Sequence, residues 1–369
     1  MSLRDKLNAT ANKTRALDIF VRFGILANPF PSSSQTNENP HFPLSADDEA
    51  EERIVSFLRD GKSQVVVIEG TQGVGKTNFL NFFESEIQDV LNEADGYYVV
   101  RYLADPESSF EGTIRRLFQE LGADHLRKLA EKLKRDNSPL EVVRSQDMRS
   151  ALKRLYEVDD DIDRPRLMME WLFGFRLLKA HREALDVQFR IDTVEAKTAC
   201  LRDLIVVSNS AGILKGIFLL LDELEKQDGV LGPTAVVRYL SAMRAIIDAL
   251  PRHLFMMIAI TPDAMRRYSA ALPAFRSRLQ NQITLNPLSS FDEAKELAHF
   301  YLETAKKEAT EKRQGKAGRE VLVTDQQIAS AFEQLQKLSE RRGDAGVRQR
   351  EFLHQLHTLA EKTIQAGAV

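Results

Sequence analysis

One eight-residue segment constrains the fold of this chain more than any other. It fits the pattern G-x-x-x-x-G-K-[ST] at every defined position. Its residues are Gly70, Thr71, Gln72, Gly73, Val74, Gly75, Lys76 and Thr77. The β-branched run Gln64–Glu69 before it predicts a buried parallel strand. Apolar residues at helical spacing after it predict a helix from about Lys76 to Asn92.

The residue types in this loop suit the binding of a nucleotide's phosphates. Glycines let the backbone turn so that N–H groups face phosphate oxygens, and the following helix adds its positive end. Lys76 is predicted to contact the β- and γ-phosphates of ATP, and the Thr77 hydroxyl to ligate Mg²⁺. Asn78, the next residue, is predicted to contact the nucleotide as well. The alternative interpretation is a glycine-rich turn without a ligand.

Strand and helix patterns alternate along the rest of the chain. The predicted strands are Gln64–Glu69, Tyr97–Leu103, Gly216–Leu221, Leu254–Ile260 and Ile283–Leu285. A helical stretch at about 124–210 separates the second strand from the third, and helices continue from Phe291 onward. This order predicts an α/β fold with a parallel sheet flanked by helices, a helical insertion and a C-terminal helical lid.

A second part of the phosphate site is predicted where the strand Gly216–Leu221 ends. Two carboxylates, Asp222 and Glu223, directly follow this apolar strand, as in a Walker B segment. Asp222 is predicted to hold Mg²⁺ through water, and Glu223 to polarise the water that attacks the γ-phosphate. The alternative is a carboxylate pair that caps the next helix.

Polar residues after the strand Leu254–Ile260 extend the predicted site. Thr261 is a candidate for a hydrogen bond to the γ-phosphate or to the attacking water, with capping of a proline turn as the alternative. Arg276 and Arg278 end the next helical segment. Arginine suits the charge that develops on a transferring phosphoryl group, because its planar fork stays charged. Plain surface arginines are the alternative.

Composition excludes several other classes of protein. The 369 residues carry a net charge of −3, which does not indicate nucleic acid or acidic lipid as a partner of the whole surface. The single cysteine, Cys200, excludes a disulfide framework within the chain. No stretch approaches the ~18 apolar residues of a membrane span, and no apolar signal core follows Met1. We therefore expect a soluble cytoplasmic protein.

Two other segments are interpreted as structural. The acidic run 159–161 before Pro165 is expected to be a solvated loop rather than a metal cluster. An apolar stripe is expected to lie in the core, and it consists of Met168, Met169, Trp171, Leu172, Phe175, Leu177 and Leu178. Residues 1–27 are expected to form one amphipathic helix.

With these residues identified, the chain resembles the AAA+ P-loop ATPases. Phe23-Gly24-Ile25, followed by Asn28-Pro29-Phe30, is similar to the opening segment of secretion-type and transposition-regulator AAA+ proteins. In that group the segment lies against the adenine, which implies that Pro29 and Phe30 contact the base.

Two arginine motifs carry the same resemblance. Ser277-Arg278-Leu279 is similar to the arginine-finger motif of clamp-loader and origin-recognition ATPases, which implies that Arg278 acts on the ATP of a neighbouring subunit. Gly346-Val347-Arg348 resembles the sensor-2 motif, which implies that Arg348 lies over the bound phosphates. The sequence departs from the family pattern in having Thr261 where sensor 1 is usually asparagine.

A narrower resemblance joins two segments of the chain. Trp171-Leu172-Phe173-Gly174, a helical stretch, and then the residues 216–225 look like the ATP-binding proteins of BREX-type phage-defence loci.

The predicted organisation is an N-terminal helix and base-contacting loop at 1–45, an ATPase core at 46–290 with an insertion at about 106–211, and a helical lid at 291–369. We expect no winged-helix domain after the lid, and this departure argues against the DNA binding of origin-recognition relatives.

Two functions are compatible with these observations. The first is an ATPase whose nucleotide state drives homo-oligomer assembly on DNA or on a partner protein, in phage defence or mobile-element biology. The second is a monomeric, slowly hydrolysing switch that presents the insertion to a protein partner. DNA contacts, if made, are expected from the N-terminal helix or from the basic lid residues Lys306, Lys307, Lys312, Arg313, Lys316 and Arg319.

Overall fold

The fold is that of a computed structural model. It describes residues 20, 22–32, 39–103, 110–158, 160–224, 233–279, 281–313, 318 and 320–366. Predictions that fall on residues 1–19, on most of the 314–319 segment and on the last three residues therefore lie outside the described residues. None of the described helices is long and apolar enough to cross a membrane.

Five parallel strands form one sheet. They are β1 (Gln64–Glu69), β2 (Tyr97–Leu103), β3 (Gly216–Asp222), β4 (Leu254–Ile260) and β5 (Asn281–Thr284). Their spatial order is β2-β3-β4-β1-β5. The strand β4 therefore lies between β1 and β3, and Glu69 is paired with Ile260 while Leu221 is paired with Ile258. The carboxyl ends of these three strands share one edge of the sheet.

Helices connect the strands and continue after β5. Those before β3 are α1 (Ser45–Asp60), α2 (Lys76–Val90), α3 (Phe110–Arg135), α4 (Gln146–Glu157), α5 (Arg164–Leu172), α6 (Lys179–Leu185) and α7 (Val194–Ser210). Those after β3 are α8 (Pro233–Ala249), α9 (Pro262–Ala271), α10 (Pro273–Arg276), α11 (Phe291–Arg313), α12 (Asp325–Arg342) and α13 (Gln349–Ala366).

The described residues divide into two compact units. The sheet unit comprises Ser45–Glu69 and Leu80–Thr284. The loop–lid unit comprises the described residues within Met1–Leu44, Gly70–Phe79 and Leu285–Val369. Each unit has its own hydrophobic core.

The core of the sheet unit includes the inserted helices α3 to α7. Fully buried side chains of the strands, such as Leu219 and Met256, belong to the same cluster as Leu126, Trp171 and Leu204 of the insertion. Since burial of apolar surface is the main stabilising term, the insertion and the sheet stabilise one another. The insertion is thus packed into the sheet unit.

The core of the loop–lid unit is formed by α11, α12 and α13. Phe23 and Ile25, in the turn segment before α1, are buried in the same core. Leu288 and Val347 form an antiparallel bridge that holds the residue before Arg348 in place.

The predicted fold class is confirmed: a parallel α/β sheet with a helical insertion and a C-terminal helical region. Several local expectations were wrong. Residues 22–27 form turns and bends, so the predicted helix does not reach residue 27. Phe175 and Leu178 are 47% and 67% exposed, because α5 ends at Leu172 and its helical spacing no longer applies beyond that point.

Candidate functional site

The loop Gly70–Thr77 has a tightly turned backbone that its glycines permit. Gly73 and Gly75 have φ angles of 85° and 102°, a region that residues with a side chain rarely adopt. Lys76 is only 9% exposed. Its Nζ donates hydrogen bonds to the carbonyl oxygens of Gly70 at 2.8 Å and Thr71 at 3.3 Å. The ammonium group is thus held over the loop at the start of α2.

Asn78 ties the start of α2 to the chain segment before α1. Its Oδ1 lies 3.0 Å from His41 Nδ1, and its Nδ2 donates to the carbonyl of Asn39 at 3.0 Å. Val74 is buried and Gln72 is exposed. In this structure Asn78 therefore anchors the loop.

The segment before α13 lies directly against the same loop. The backbone N–H of Arg350 donates to the carbonyl of Gly73 at 3.0 Å. A side chain built on Gly73 would place its Cβ 3.5 Å from the Cβ of Arg348. The Arg348 guanidinium forms ion pairs with Asp344 at 3.0 Å and with Glu351 at 3.6 Å. The predicted sensor-2 arginine is thus close to the loop and is held by two carboxylates.

The segment predicted to face the adenine is anchored in the loop–lid core. Phe30 is 1% exposed, and its ring centroid lies 6.3 Å from that of Tyr301. The Phe30 carbonyl lies 2.7 Å from His357 Nδ1, and Asn28 Nδ2 donates to the carbonyl of His357. Pro29 is half-buried. The Phe30 ring therefore packs in the protein interior, and Pro29 is the more accessible of the two.

In the sheet unit, Asp222 ends β3 at the carboxyl edge of the sheet. Its side chain is 1% exposed, and its Oδ1 accepts a hydrogen bond from the backbone N–H of Glu223 at 2.9 Å. Glu223 is half-buried and has a φ of 54°, which is uncommon for a residue with a side chain. Such backbone strain is often found at functional positions. It turns the chain sharply at the carboxylate that was predicted to be the base.

Sequence reasoning missed Arg101, which contacts Asp222 directly. Arg101 lies on β2, and its Nη2 donates to Asp222 Oδ2 at 2.8 Å. Its Nε lies 3.8 Å from Glu84 Oε2. Burial raises the pKa of Glu84 above its ordinary value, and Arg101 acts in the opposite direction. A charged residue inside an otherwise apolar parallel strand was the signal that could have identified Arg101.

Thr261 follows β4, between the strands that end at Glu69 and Asp222. Its Oγ1 accepts a hydrogen bond from the backbone N–H of Ala264 at 3.4 Å and caps α9. In this structure Thr261 therefore has the capping role that the sequence left open as the alternative.

Arg276 is exposed, and Arg278 is bound within its own chain. Arg278 Nε donates to Asp248 Oδ1 at 2.6 Å, and Asp248 also pairs with Arg244 at 3.2 Å. The hydrogen bond from Arg278 holds the pKa of Asp248 below its ordinary value. The predicted arginine finger is thus paired with α8, about 39% exposed.

Two sequence segments outside this site behave as solvated surface. Asp160 forms an ion pair with Arg164, and no group of three or more metal-binding side chains occurs among the described residues. Lys312 of the basic lid segment pairs with Glu308 four residues earlier, while Lys316 and Arg319 lie outside the described residues.

The residues predicted to hold Mg²⁺ have suitable chemistry. Mg²⁺ prefers oxygen ligands and usually keeps several waters. The Thr77 hydroxyl and the Asp222 carboxylate are oxygen donors. Among the described residues, each oxygen of Asp222 accepts one hydrogen bond, which leaves lone pairs for a metal-bound water.

Comparison with solved structures finds distant likenesses. The ORC2 protein of Aeropyrum pernix, solved as ADPNP–ADP complexes, is 14% identical, with 89% of this chain and 72% of that chain covered and a TM-score of 0.41. The Walker-type ATPase paby2304 of Pyrococcus abyssi is 12% identical, with 92% and 74% covered and a TM-score of 0.41. No curated protein matches this chain.

The family comparison covers most of the chain. Residues 111–365 match the family described as BREX system ATP-binding protein BrxC/D, and the loop Gly70–Thr77 precedes the matched residues. The match includes the insertion, β3 with Asp222 and Glu223, and the lid. The narrower resemblance seen in the sequence is therefore confirmed. This chain belongs to the family of BREX system ATP-binding proteins BrxC/D.

Proposed function

We propose that this chain is a Mg²⁺-dependent ATPase that binds ATP through Gly70–Thr77 and hydrolyses it with Glu223 as the base. The observation that carries the proposal is the loop itself. Its glycines adopt φ angles of 85° and 102°, and Lys76 is held at its start by two loop carbonyls. A lysine and a backbone turned in this way suit phosphate oxygens.

Each residue has a distinct part in this proposal. Lys76 exchanges its carbonyl partners for the β- and γ-phosphates, and the N-terminal end of α2 adds positive potential. Thr77 and Asp222 hold Mg²⁺, which, when bound, neutralises charge on the phosphate oxygens. Glu223 accepts a proton from the attacking water. Arg348 is drawn from Asp344 and Glu351 toward the phosphates.

Nucleotide titration of Lys76→Ala tests the site. We expect the variant to lose tight ATP binding, because phosphate charge would lose its partner. Lys62→Ala is the matched control, since Lys62 is 71% exposed and pairs with Asp60 outside the loop. An unchanged ATP affinity in Lys76→Ala would refute the assignment of the loop.

We further propose that the ATP state assembles several copies of the chain on a protein partner or on DNA, as an ATP-dependent step of a BREX phage-defence system. Arg278 is the residue that would complete a neighbour's site. Its guanidinium is partly exposed and is held by a single carboxylate contact, from Asp248 at 2.6 Å, so it is available for exchange. Arginine fingers stabilise the charge of the transferring phosphoryl group.

A mixing experiment tests action between subunits. Arg278→Ala should bind ATP but lose turnover and ATP-driven assembly. Mixed with Lys76→Ala, it should recover part of the activity, because each variant supplies what the other lacks. Absence of recovery in every mixture, with wild type monomeric in ATP, would exclude the oligomeric mechanism.

The alternative is a monomeric switch with slow hydrolysis that presents its insertion to a protein partner. Two contacts favour it: Arg278 is bound to Asp248 of the same chain, and Thr261 Oγ1 caps α9. Mass measured with and without ATP separates the two functions, since only the oligomeric protein gains mass with ATP.

DNA binding is tested separately through the lid. Neutralising Lys306, Lys307 and Lys312 should weaken binding to any duplex, and wild-type binding should fall steeply with salt, since phosphate contacts release counterions. A band shift that survives high salt, or one that is unaffected by the substitutions, would contradict phosphate contacts from the lid.

A further inference from the structure

The Walker B carboxylate of this chain has a buried cationic partner on the neighbouring strand. Arg101 Nη2 donates to Asp222 Oδ2 at 2.8 Å and to Asn81 Oδ1 at 3.3 Å. The side chain of Asp222 is 1% exposed and that of Arg101 is 16% exposed. Water therefore screens this ion pair far less than a surface pair.

Strand register accounts for the meeting of these two residues. In the parallel pairing of β2 with β3, Arg101 is opposite Leu220, and Leu103 is opposite Asp222. Residues two apart in a strand project from the same face of the sheet. Arg101 and Asp222 therefore share a face, and the long guanidinium stem spans the offset between them.

Both partners retain hydrogen-bonding capacity. From the part of the chain that the structure describes, Asp222 accepts one hydrogen bond on each oxygen, whereas a carboxylate has about four lone-pair positions. The Nη1 of Arg101 is buried and has no hydrogen-bond partner among the residues that the structure describes. Buried polar groups are nearly always satisfied, so an unsatisfied donor beside this carboxylate is unusual.

We infer that Arg101 is a positioning residue that orients Asp222 before Mg²⁺ arrives, and that it lowers the affinity of the site for Mg²⁺. The inference rests on the proposed function, which assigns Asp222 to the metal. A buried carboxylate without a cation is costly, so Arg101 supplies the charge that Mg²⁺ supplies later. Once Mg²⁺ is present, the two cations share one carboxylate and repel each other.

The experiment measures binding and does not require turnover. The affinity for fluorescently labelled ATP is determined at increasing free Mg²⁺, starting in EDTA, and the readout is the Mg²⁺ concentration at half-maximal change. Arg101→Met removes the charge and keeps an apolar stem. We expect it to lower this concentration about tenfold. One neighbouring positive charge lowers the affinity of a carboxylate for a proton by roughly one to three powers of ten, and the affinity for Mg²⁺ should change in the same direction.

Two further variants guard against loss of folding. Arg101→Lys keeps the charge and should stay within about twofold of wild type, by the same electrostatic reasoning. Arg101→Gln keeps an N–H donor without the charge and should shift the Mg²⁺ concentration in the same direction as Arg101→Met. Arg202→Met is the matched control, because Arg202 is also 16% exposed and pairs with a 1% exposed aspartate, Asp203. It should leave the Mg²⁺ requirement unchanged.

Asp222→Asn separates failure of this inference from failure of the proposed function. If Asp222→Asn raises the Mg²⁺ requirement while Arg101→Met and Arg101→Gln leave it at the wild-type value or raise it, the role of Arg101 is refuted and the metal site stands. If Asp222→Asn has no effect, the assignment of Asp222 to the metal fails, and the inference fails with it.

Discussion

Two buried arginine–aspartate pairs of the sheet unit have the same burial but different surroundings. Arg202 and Asp203 lie in the inserted helix α7, whereas Arg101 and Asp222 lie at the carboxyl edge of the sheet. In each pair the arginine side chain is 16% exposed and the aspartate 1%. The differences between them therefore come from their other hydrogen bonds.

Most hydrogen-bonding positions of the carboxylate in the insertion are occupied, since Asp203 accepts three hydrogen bonds. Asp203 Oδ2 accepts hydrogen bonds from the backbone N–H groups of Arg144 and Ser145 at 3.0 and 2.8 Å, and its Oδ1 binds Arg202. Arg202 Nη1 also donates to the carbonyl of Val142. This pair holds the backbone of the segment that leads into α4, and we interpret its role as structural.

The carboxylate of the pair at the sheet edge has fewer hydrogen bonds. Asp222 accepts one guanidinium N–H and one backbone N–H, and the Nη1 of Arg101 is unsatisfied among the described residues. An unsatisfied buried donor costs stability, so this arrangement is less favourable as a purely structural contact. Burial and charge are the same in the two pairs, so the number of occupied hydrogen-bonding positions is the feature that separates them.

The largest expected effect concerns turnover at the sheet edge. Glu223→Gln should lower kcat by about 10²- to 10⁴-fold, because an amide cannot act as the base. ATP affinity should stay close to wild type. Arg202→Met, in the insertion, should leave kcat per folded molecule within about twofold, because its pair is structural. Phosphate release under single-turnover conditions measures both, and equal losses would abolish the distinction between the two regions.

Unfolding free energies should show the opposite order. Asp203→Ala removes the partner of Arg202 and of two backbone N–H groups, so it should cost about 3–5 kcal/mol. Asp222→Ala should cost only about 1–3 kcal/mol, because Arg101 keeps Asn81 and the nearby Glu84 as acceptors. Denaturant titration of both variants in EDTA measures the difference. A larger loss for Asp222→Ala would make the sheet-edge pair the structural one.

A buried histidine makes the junction of insertion and sheet sensitive to acid. His125 lies 2.8 Å from both Tyr98 Oη and Ser208 Oγ, and burial lowers its pKa to about 4. Its folded pKa is below the unfolded value of about 6.5, so the unfolded chain binds more protons between these values. This stabilisation is complete above about pH 6.5 and is lost as the pH falls toward about 4.

The expected loss at this junction is about 2 kcal/mol of unfolding free energy between about pH 7 and about pH 5. His125→Gln, which does not titrate, should show a pH dependence that is smaller by this amount. Denaturant titrations of both proteins at the two pH values provide the measurement. Parallel pH profiles for wild type and variant would show that His125 does not titrate in the expected way.

The smallest effect is expected for a third arginine–aspartate pair, which is exposed. Arg278 and Asp248 are 39% and 37% exposed, so Asp248→Ala should change the unfolding free energy by at most about 1 kcal/mol. The same substitution removes the partner of Arg278 within its own chain. If Arg278 contacts the ATP of a neighbouring subunit, its release should not weaken ATP-driven assembly. Weaker assembly, seen as a lower mass in ATP, would indicate that Asp248 itself is part of the contact.

Many features were predictable because they are encoded locally. The strand before Gly70, the carboxylates after β3 and the helical character of the insertion follow from residue type and periodicity over short windows. The exposure of Phe175 and Leu178 was not predictable in this way. The predicted apolar stripe assumed that the helix continues past Leu172, where α5 ends. Of two alternatives that the sequence left open, capping by Thr261 uses a partner only three residues away, whereas the surface contact of Arg278 depends on Asp248, 30 residues earlier.

By itself, then, the sequence determined the phosphate loop, the α/β fold class and the positions of Lys76, Asp222 and Glu223 along the chain. Only the tertiary structure decided that β4 lies between β1 and β3, and that Arg101 meets Asp222 across 121 residues. The physical reason is that local patterns specify which face of a strand is buried. The neighbour of that strand, and the register between the two, are set by packing of the whole core. The partner of Asp222, the predicted Walker B carboxylate, therefore became visible only once β2 was placed beside β3.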